Sequence, residues 1–281
     1  MKISVITVNY NNRDGLRNTI ESVLNQTYKD FEYIIIDGGS TDGSVEVIKE
    51  FSNKIDYWIS EPDNGVYHAM NKGIDVAKGH YCNFMNSGDC FYNNKTLDSM
   101  VGELGDASIV YGNFMYSNGA SYNISKILSF DYFYRKCRIH HQSSFIETCL
   151  LKKYKYDEKY KISSDYKFWI QTIILDNCTY KFVDKIISLA DNTGISMSNK
   201  ALRMQEDEQC LKELIPARII LDYKNLYLGW ENNWEKKLYN EITESKYHRY
   251  LYTMNIIFIR FVSLFKKGAC WIKKYPLSIG K

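Results

Sequence analysis

Over the first 89 residues, short apolar runs of strand length alternate with amphipathic segments of helix length. That alternation restricts the chain to a layered α/β fold around a parallel, doubly wound sheet. Ile3, Val5, Ile6 and Val8 make a nearly all-apolar run, as expected of a strand covered on both faces. Residues 13–24 then set Leu16, Ile20, Val23 and Leu24 on one helical face. Residues 33–36 form a second strand ending in Asp37, and a helix starts at Thr41-Asp42, either of which can cap it. Residues 55–59 read as a third strand, 66–77 as a helix, and 81–85 as a fourth strand that stops at Asn86-Ser87-Gly88-Asp89. Beyond Asp89 the alternation loosens. Residues 107–113, 115–124, 143–146 and 181–189 read as extended, residues 164–175 as helical, and the pattern from Asn199 onward is helical almost throughout.

The 281 residues suffice for one substantial α/β domain, placed at 1–198, and a helical C-terminal region, placed at 199–281. A net charge of +3 is too small to point to nucleic acid, but the charge is uneven. Residues 246–281 hold eight of the 36 basic residues and none of the 33 acids, so the tail is basic and the body slightly acidic. The seven cysteines form no CxxC pair, and several lie in apolar runs, which argues against a disulfide framework and fits a reducing compartment. Met1-Lys2 leads straight into a strand pattern with no apolar signal segment, so a cytoplasmic location is expected.

In an open α/β sheet, ligands sit beyond the carboxyl ends of the strands. Four polar segments fall there: Thr7-Val8-Asn9, Asp37-Gly38-Gly39-Ser40-Thr41-Asp42, Glu61-Pro62-Asp63-Asn64-Gly65 and Asn86-Ser87-Gly88-Asp89. Together they suggest one nucleotide-diphosphate pocket. Glycines in the second segment let backbone approach a ligand, and the helix start behind it favours anions. A tight capped turn explains that segment equally well. A dinucleotide fingerprint needs GxGxxG after the first strand, whereas here Asn9-Tyr10-Asn11-Asn12 follows and no glycine appears before Gly15. No GxxxxGK[ST] loop is present either.

Ser4-Val5-Ile6-Thr7-Val8-Asn9-Tyr10-Asn11, Thr19-Ile20-Glu21-Ser22-Val23-Leu24-Asn25-Gln26-Thr27-Tyr28 and the strand into Asp37-Gly38-Gly39-Ser40-Thr41-Asp42 resemble the opening of family 2 glycosyltransferases. Asp63-Asn64-Gly65-Val66-Tyr67, Ala69-Met70-Asn71-Lys72-Gly73 and Asn86-Ser87-Gly88-Asp89 continue the series, so the resemblance covers about residues 1–190. It implies a GT-A fold, a nucleotide-sugar donor and a divalent cation, Mg2+ or Mn2+. By the same resemblance Thr7 and Asp37 would contact the nucleobase, and Asn9 and Gly38 would also bind the donor. Asp63, Asn71, Lys72, Asn86, Ser87 and Gly88 would line the rest of the donor pocket, and Asp89 would hold the metal. Many relatives carry an acid at the Asn86 position and an arginine at Met70, so this chain departs there. A hard cation takes only one or two carboxylates beside phosphate oxygens, so a sparse protein site suffices.

The resemblance makes Asp165, in Ser163-Ser164-Asp165, the general base of an inverting transfer. The residues themselves also suit a helix cap. His140 and His141 are candidates for lining the site or for plain packing, and Gly194 and Ser196 for closing over the diphosphate. Residues 250–265 are rich in Tyr, Leu, Ile, Phe, Met and Val, with Lys266, Lys267, Lys273 and Lys274 following. That suits a helix lying on an anionic membrane surface, or one packed on the domain. The expected activity is transfer of a sugar, from a UDP-sugar, to a glycan or lipid-linked glycan in cell-surface polysaccharide assembly. A sugar-phosphate nucleotidyltransferase and a silent sugar-nucleotide-binding protein are the rival readings.

Overall fold

The computed structural model describes residues 3–122, 124–191 and 199–231. These divide between two compact units, with the boundary between Pro216 and Ala217. In the first, strands β1 (Ile3–Asn9), β2 (Phe31–Asp37), β3 (Tyr57–Ser60) and β4 (Tyr81–Phe84) lie in the order β3-β2-β1-β4, all parallel. Helix α1 (Arg13–Leu24), α2 (Ser44–Glu50) and α3 (Val66–Val76) are the crossovers between them. Each strand of this half therefore ends at the same edge, which brings the four polar segments together.

Every residue of β1 is buried, and its alternation explains why. Ile3 and Val5 pack with Leu16, Ile20 and Val23 of α1 and Val47 and Ile48 of α2. Ile6 faces the opposite way, where a Cβ added to Gly73 of α3 would meet Ile6 Cγ2 at 2.5 Å. The helix approaches the sheet this closely because Gly73 has no side chain. Each fully buried aliphatic side chain in such a layer contributes about 1.5–3 kcal/mol. Asn12 caps α1 by accepting the Gly15 amide at 3.2 Å, and Asp42 Oδ1 accepts the Ser44 amide at 3.0 Å at the start of α2.

The second half of the sheet is mixed. β5 (Cys90–Phe91), α4 (Thr96–Val101), β6 (Ile109–Tyr116), β7 (Ser121–Tyr122), α5 (Phe130–Tyr134), β8 (Ser144–Glu147), α6 (Thr148–Tyr154), α7 (Ser164–Trp169) and β9 (Tyr180–Ala190) follow in chain order. β8 joins β4 antiparallel, β6 joins β8 antiparallel and β9 parallel, and β5 closes on β9. The expected extended segment at 115–124 is a hairpin of β6 with β7. The helix expected over 164–175 is helical throughout, but residues Ile170–Leu175 are wound as a π-helix. Helix α8 (Lys200–Leu214), which the sequence pattern groups with the C-terminal region, lies in the first unit. The second unit contributes α9 (Ala217–Glu231) to the described residues. No helix among them is long and apolar enough to cross a membrane. The basic tail, 246–281, lies outside the described residues.

Candidate active site

The ends of β1 and β2 form one half of the site. Asp37, at the last position of β2, is fully buried and accepts four hydrogen bonds. Asn9 Nδ2 (2.7 Å) and Ser40 Oγ (2.6 Å) donate to Oδ1, while the Ser40 amide (2.9 Å) and Ser60 Oγ (2.6 Å) donate to Oδ2. Burial acts to raise its pKa, but these donors outweigh it and hold the carboxyl below the ordinary aspartate value. Asp37 thus ties the ends of three strands together. Beside it, a Cβ on Gly38 would meet Asp63 Oδ2 at 2.5 Å and the Tyr10 ring at 3.2 Å, so a carboxylate and an exposed aromatic ring border bare backbone. Asn9 Oδ1 is buried and accepts no hydrogen bond from the described residues.

The second half is the turn after β4. The Ser87 amide donates to Val8 O at 3.1 Å, locking the turn to β1. Gly88 has φ +101°, a conformation that disfavours a side chain, and its amide donates to Thr19 Oγ1 at 3.0 Å. A Cβ there would lie 3.0 Å from Asp191 Oδ2, so a second carboxylate, at the end of β9, sits against the turn. Asp89 Oδ1 accepts the Asp191 amide at 2.8 Å. Burial, and then the Asp191 carboxylate, push Asp89 up to about 6 against the opposing pull of His141 and the Asp191 amide.

His141 connects this turn to Asp165. Its Nε2 lies 3.1 Å from Asn86 Nδ2, and its Nδ1 lies 3.8 Å from Asp165 Oδ2. Asn86 Nδ2 can donate to Nε2 when the ring proton is on Nδ1, which faces Asp165. Asn86 Oδ1 is then the atom left over, buried and without a hydrogen bond from the described residues. Asp165 Oδ1 accepts the Tyr166 amide (2.8 Å) and the Tyr67 hydroxyl (3.2 Å), and Arg138 Nη1 lies 3.4 Å away. Burial acts to raise the Asp165 pKa, but His141, Arg138 and the Tyr166 amide hold it below the usual carboxylate value. His140 turns the other way and stacks on Phe114, ring centroids 4.0 Å apart. Desolvation first, and the neighbouring His141 and Arg138 charges after it, lower its pKa to about 3, so it is a neutral ring at physiological pH.

The structure therefore assembles Asn9, Asp37, Gly38 and Asp63 in one cluster, and Asn86, Asp89, His141 and Asp165 in another. Ser87 and Gly88 shape the turn between them. Thr7 and Asn71 are engaged within the protein. The buried Thr7 hydroxyl donates to Met85 O at 2.7 Å. Asn71 fixes the Tyr156 backbone through both of its side-chain polar atoms. Lys72 pairs with Glu61 at 2.7 Å. Gly194 and Ser196 lie outside the described residues. Tyr10, Tyr67, Arg138 and Asp191 were not singled out by the sequence reading. Arg138 carries no local motif, Tyr67 ends the segment Asp63-Asn64-Gly65-Val66-Tyr67 without a role of its own there, and Asp191 is legible as an acid ending a strand.

Among the described residues no group of three or more His, Cys, Asp or Glu is arranged to hold a metal ion. Asp89, whose Oδ1 accepts the Asp191 amide, and the buried Asn86 Oδ1, which accepts no hydrogen bond from the described residues, are nevertheless hard oxygens of the type that Mg2+ or Mn2+ takes beside a diphosphate.

The profile of the family described as "Glycosyl transferase family 2" matches residues 4–162. An uncharacterized glycosyltransferase of Mycobacterium tuberculosis is 32% identical over 206 residues, covering 69% of this chain and 76% of its own length. A PGL/p-HBAD biosynthesis glycosyltransferase of Mycobacterium bovis is 26% identical over 207 residues, covering 69% and 77%. Among solved structures, S. aureus TarS 1-349 in complex with UDP-GlcNAc superposes with a TM-score of 0.60 at 21% identity, covering 70% of this chain. The chain spans 61% of the length of that structure. A mannosyltransferase from Pyrobaculum calidifontis in complex with GDP-Man and Mn2+ gives a TM-score of 0.59 at 15% identity, covering 75% of this chain and 63% of that one. These two likenesses identify the fold as GT-A.

Proposed function

Because this chain belongs to glycosyl transferase family 2, we propose that it transfers a sugar, with inversion, from a nucleotide-sugar to a hydroxyl of a glycan or lipid-linked glycan during assembly of a cell-surface polysaccharide. The observation that carries this reading is the link Asn86–His141–Asp165, which sets a buried carboxylate beside the turn after β4. The donor is a UDP-sugar. Asn9, Asp37, Gly38 and Asp63 hold its nucleobase end, supported from below by Thr7. Asn86, Ser87, Gly88 and Asp89 meet the diphosphate and the sugar, with Asn71 and Lys72 shaping the adjoining wall. The UDP-GlcNAc held by TarS supports that choice.

In the transfer, the acceptor hydroxyl gives its proton to Asp165 while its oxygen forms a bond to the anomeric carbon. The bond from that carbon to the phosphate oxygen breaks, and its electron pair leaves with the nucleoside diphosphate. Asp89 would hold Mg2+ or Mn2+, which neutralises charge on the departing diphosphate when bound. His140 packs the site wall. The basic, aromatic tail at 246–281 makes peripheral contact with the inner face of the cell membrane.

A panel of UDP- and GDP-sugars tests the reading through slow release of the nucleotide with water as acceptor. We expect one UDP-sugar to be hydrolysed well above the protein-free rate. A protein that neither releases UDP nor binds it in a calorimeter would overturn the proposal.

A further inference from the structure

Helix α8 lies beyond the stretch matched by the family, yet it grips the segment that delivers Asp165. Glu206, itself buried, accepts the amides of Lys161, Ile162 and Ser163, each at 2.9 Å. Three consecutive amides on one carboxylate fix the path of the chain two to four residues before Asp165. The neighbouring Asp207 side chain is 3% exposed and forms an ion pair with Arg138 Nη2. Arg138 also reaches Ser163 Oγ at 3.2 Å and, through Nη1, Asp165 Oδ1 at 3.4 Å. One guanidinium is therefore divided between two buried carboxylates, and its shorter contact is with Asp207.

We propose that Asp207 is a positioning residue for Asp165, which it serves by drawing the Arg138 charge to itself and leaving Asp165 both oriented and basic. The inference rests on Asp165 being the general base. A carboxylate alone with a buried guanidinium forms a close pair and becomes a poor proton acceptor. The charged and titratable groups facing Asp165 are Arg138, His140 and His141 from the segment before β8, Tyr67 from α3 and Tyr156 from the loop after α6. Through Arg138, Asp207 of α8 joins them. Asp207 is the one acid in that set besides Asp165. Removing it both frees Arg138 toward Asp165 and deletes a negative charge nearby, and both changes favour the ionised form of Asp165.

The base works only when deprotonated, so activity is lost as pH falls through its pKa. A lower pKa moves that acid limb to lower pH. Asp207→Asn is therefore expected to shift the limb down by about one pH unit and to slow turnover about tenfold, with UDP affinity unchanged. The probe is the nucleotide-sugar that the intact protein hydrolyses fastest in the panel. If this variant does not fold, Arg138→Gln combined with Asp207→Asn removes the ion pair whole and leaves Asp165 with its neutral donors, the Tyr67 hydroxyl and the Tyr166 amide. That double variant removes the cation nearest Asp165, so its limb is expected to move up instead. A folded variant whose rate and limb match the intact protein would overturn the role of Asp207. Normal turnover in Asp165→Asn would instead overturn the base assignment beneath it, so the two failures are distinct.

Discussion

Asp165→Asn should lower kcat by about 10²–10⁴-fold, the usual contribution of a positioned base, with the affinity for UDP unchanged. Asparagine keeps the shape and one oxygen, so the Tyr166 amide retains its acceptor. Arg138 retains Asp207, so no buried charge is left alone and the fold should survive. What is lost is the capacity to take a proton. His141 and Arg138 hold the Asp165 pKa below the ordinary carboxylate value even against burial. With Asp89 kept ionised by a bound cation, the intact protein should accordingly keep its activity from neutral pH down into the acid range and lose it only as pH falls below the pKa of a free aspartate. Turnover assays and UDP calorimetry on the same preparation separate the outcomes. Near-normal turnover would reduce Asp165 to a structural acceptor for Tyr67, Arg138 and the Tyr166 amide, and would pass the base role to His141. Loss of UDP binding along with turnover would move Asp165 into the donor site.

Asp89→Ala should abolish turnover together with any metal-dependent binding of UDP. Asp89 is the carboxylate on the turn after β4, and Asp191 is its neighbour rather than its replacement. The remaining oxygens, Asn86 Oδ1 and Asp191, would bring a single negative charge to a divalent cation. The substitution also strips the Asp191 amide of its acceptor, an unmade hydrogen bond worth about 1–3 kcal/mol. The thermal transition should therefore drop modestly but stay cooperative. Titrating Mn2+ into the protein with and without UDP gives a readout independent of catalysis. Full activity of the intact protein in excess EDTA would remove the metal from the account.

The parallel half of the fold was readable because three of its four strands are buried on both faces and its helices on one. Ile3–Asn9 and Arg13–Leu24 carry the two periodicities with little noise. The strand ends were readable for the same reason: once the strands are parallel, Asp37 and Asp89 fall at one edge. The mixed half was harder. β5 and β7 are two residues each and are defined by their partners, not by any pattern of their own. Asp165 was found through a motif, but the environment that sets its chemistry comes from residues 24 to 98 positions away: His141, Arg138 and Tyr67. No local spacing encodes such contacts. Helix α8 shows the same limit from the other side. Its Glu206 and Asp207 look like two charges on a polar helix, and only tertiary packing buries them against residues 138 and 161–163.

The central claim is that this chain breaks the bond between a sugar and a nucleoside diphosphate on the sugar side. Running donor hydrolysis in water enriched in oxygen-18 tests it directly, since the label marks the atom that water attacks. Mass spectrometry of the released nucleotide and sugar should find the label in the sugar and none in UDP, because attack at the anomeric carbon leaves both phosphate groups untouched. Label in the nucleotide would mean attack at phosphorus, the chemistry of a nucleotidyl-transferring or pyrophosphate-cleaving enzyme, and would contradict the account.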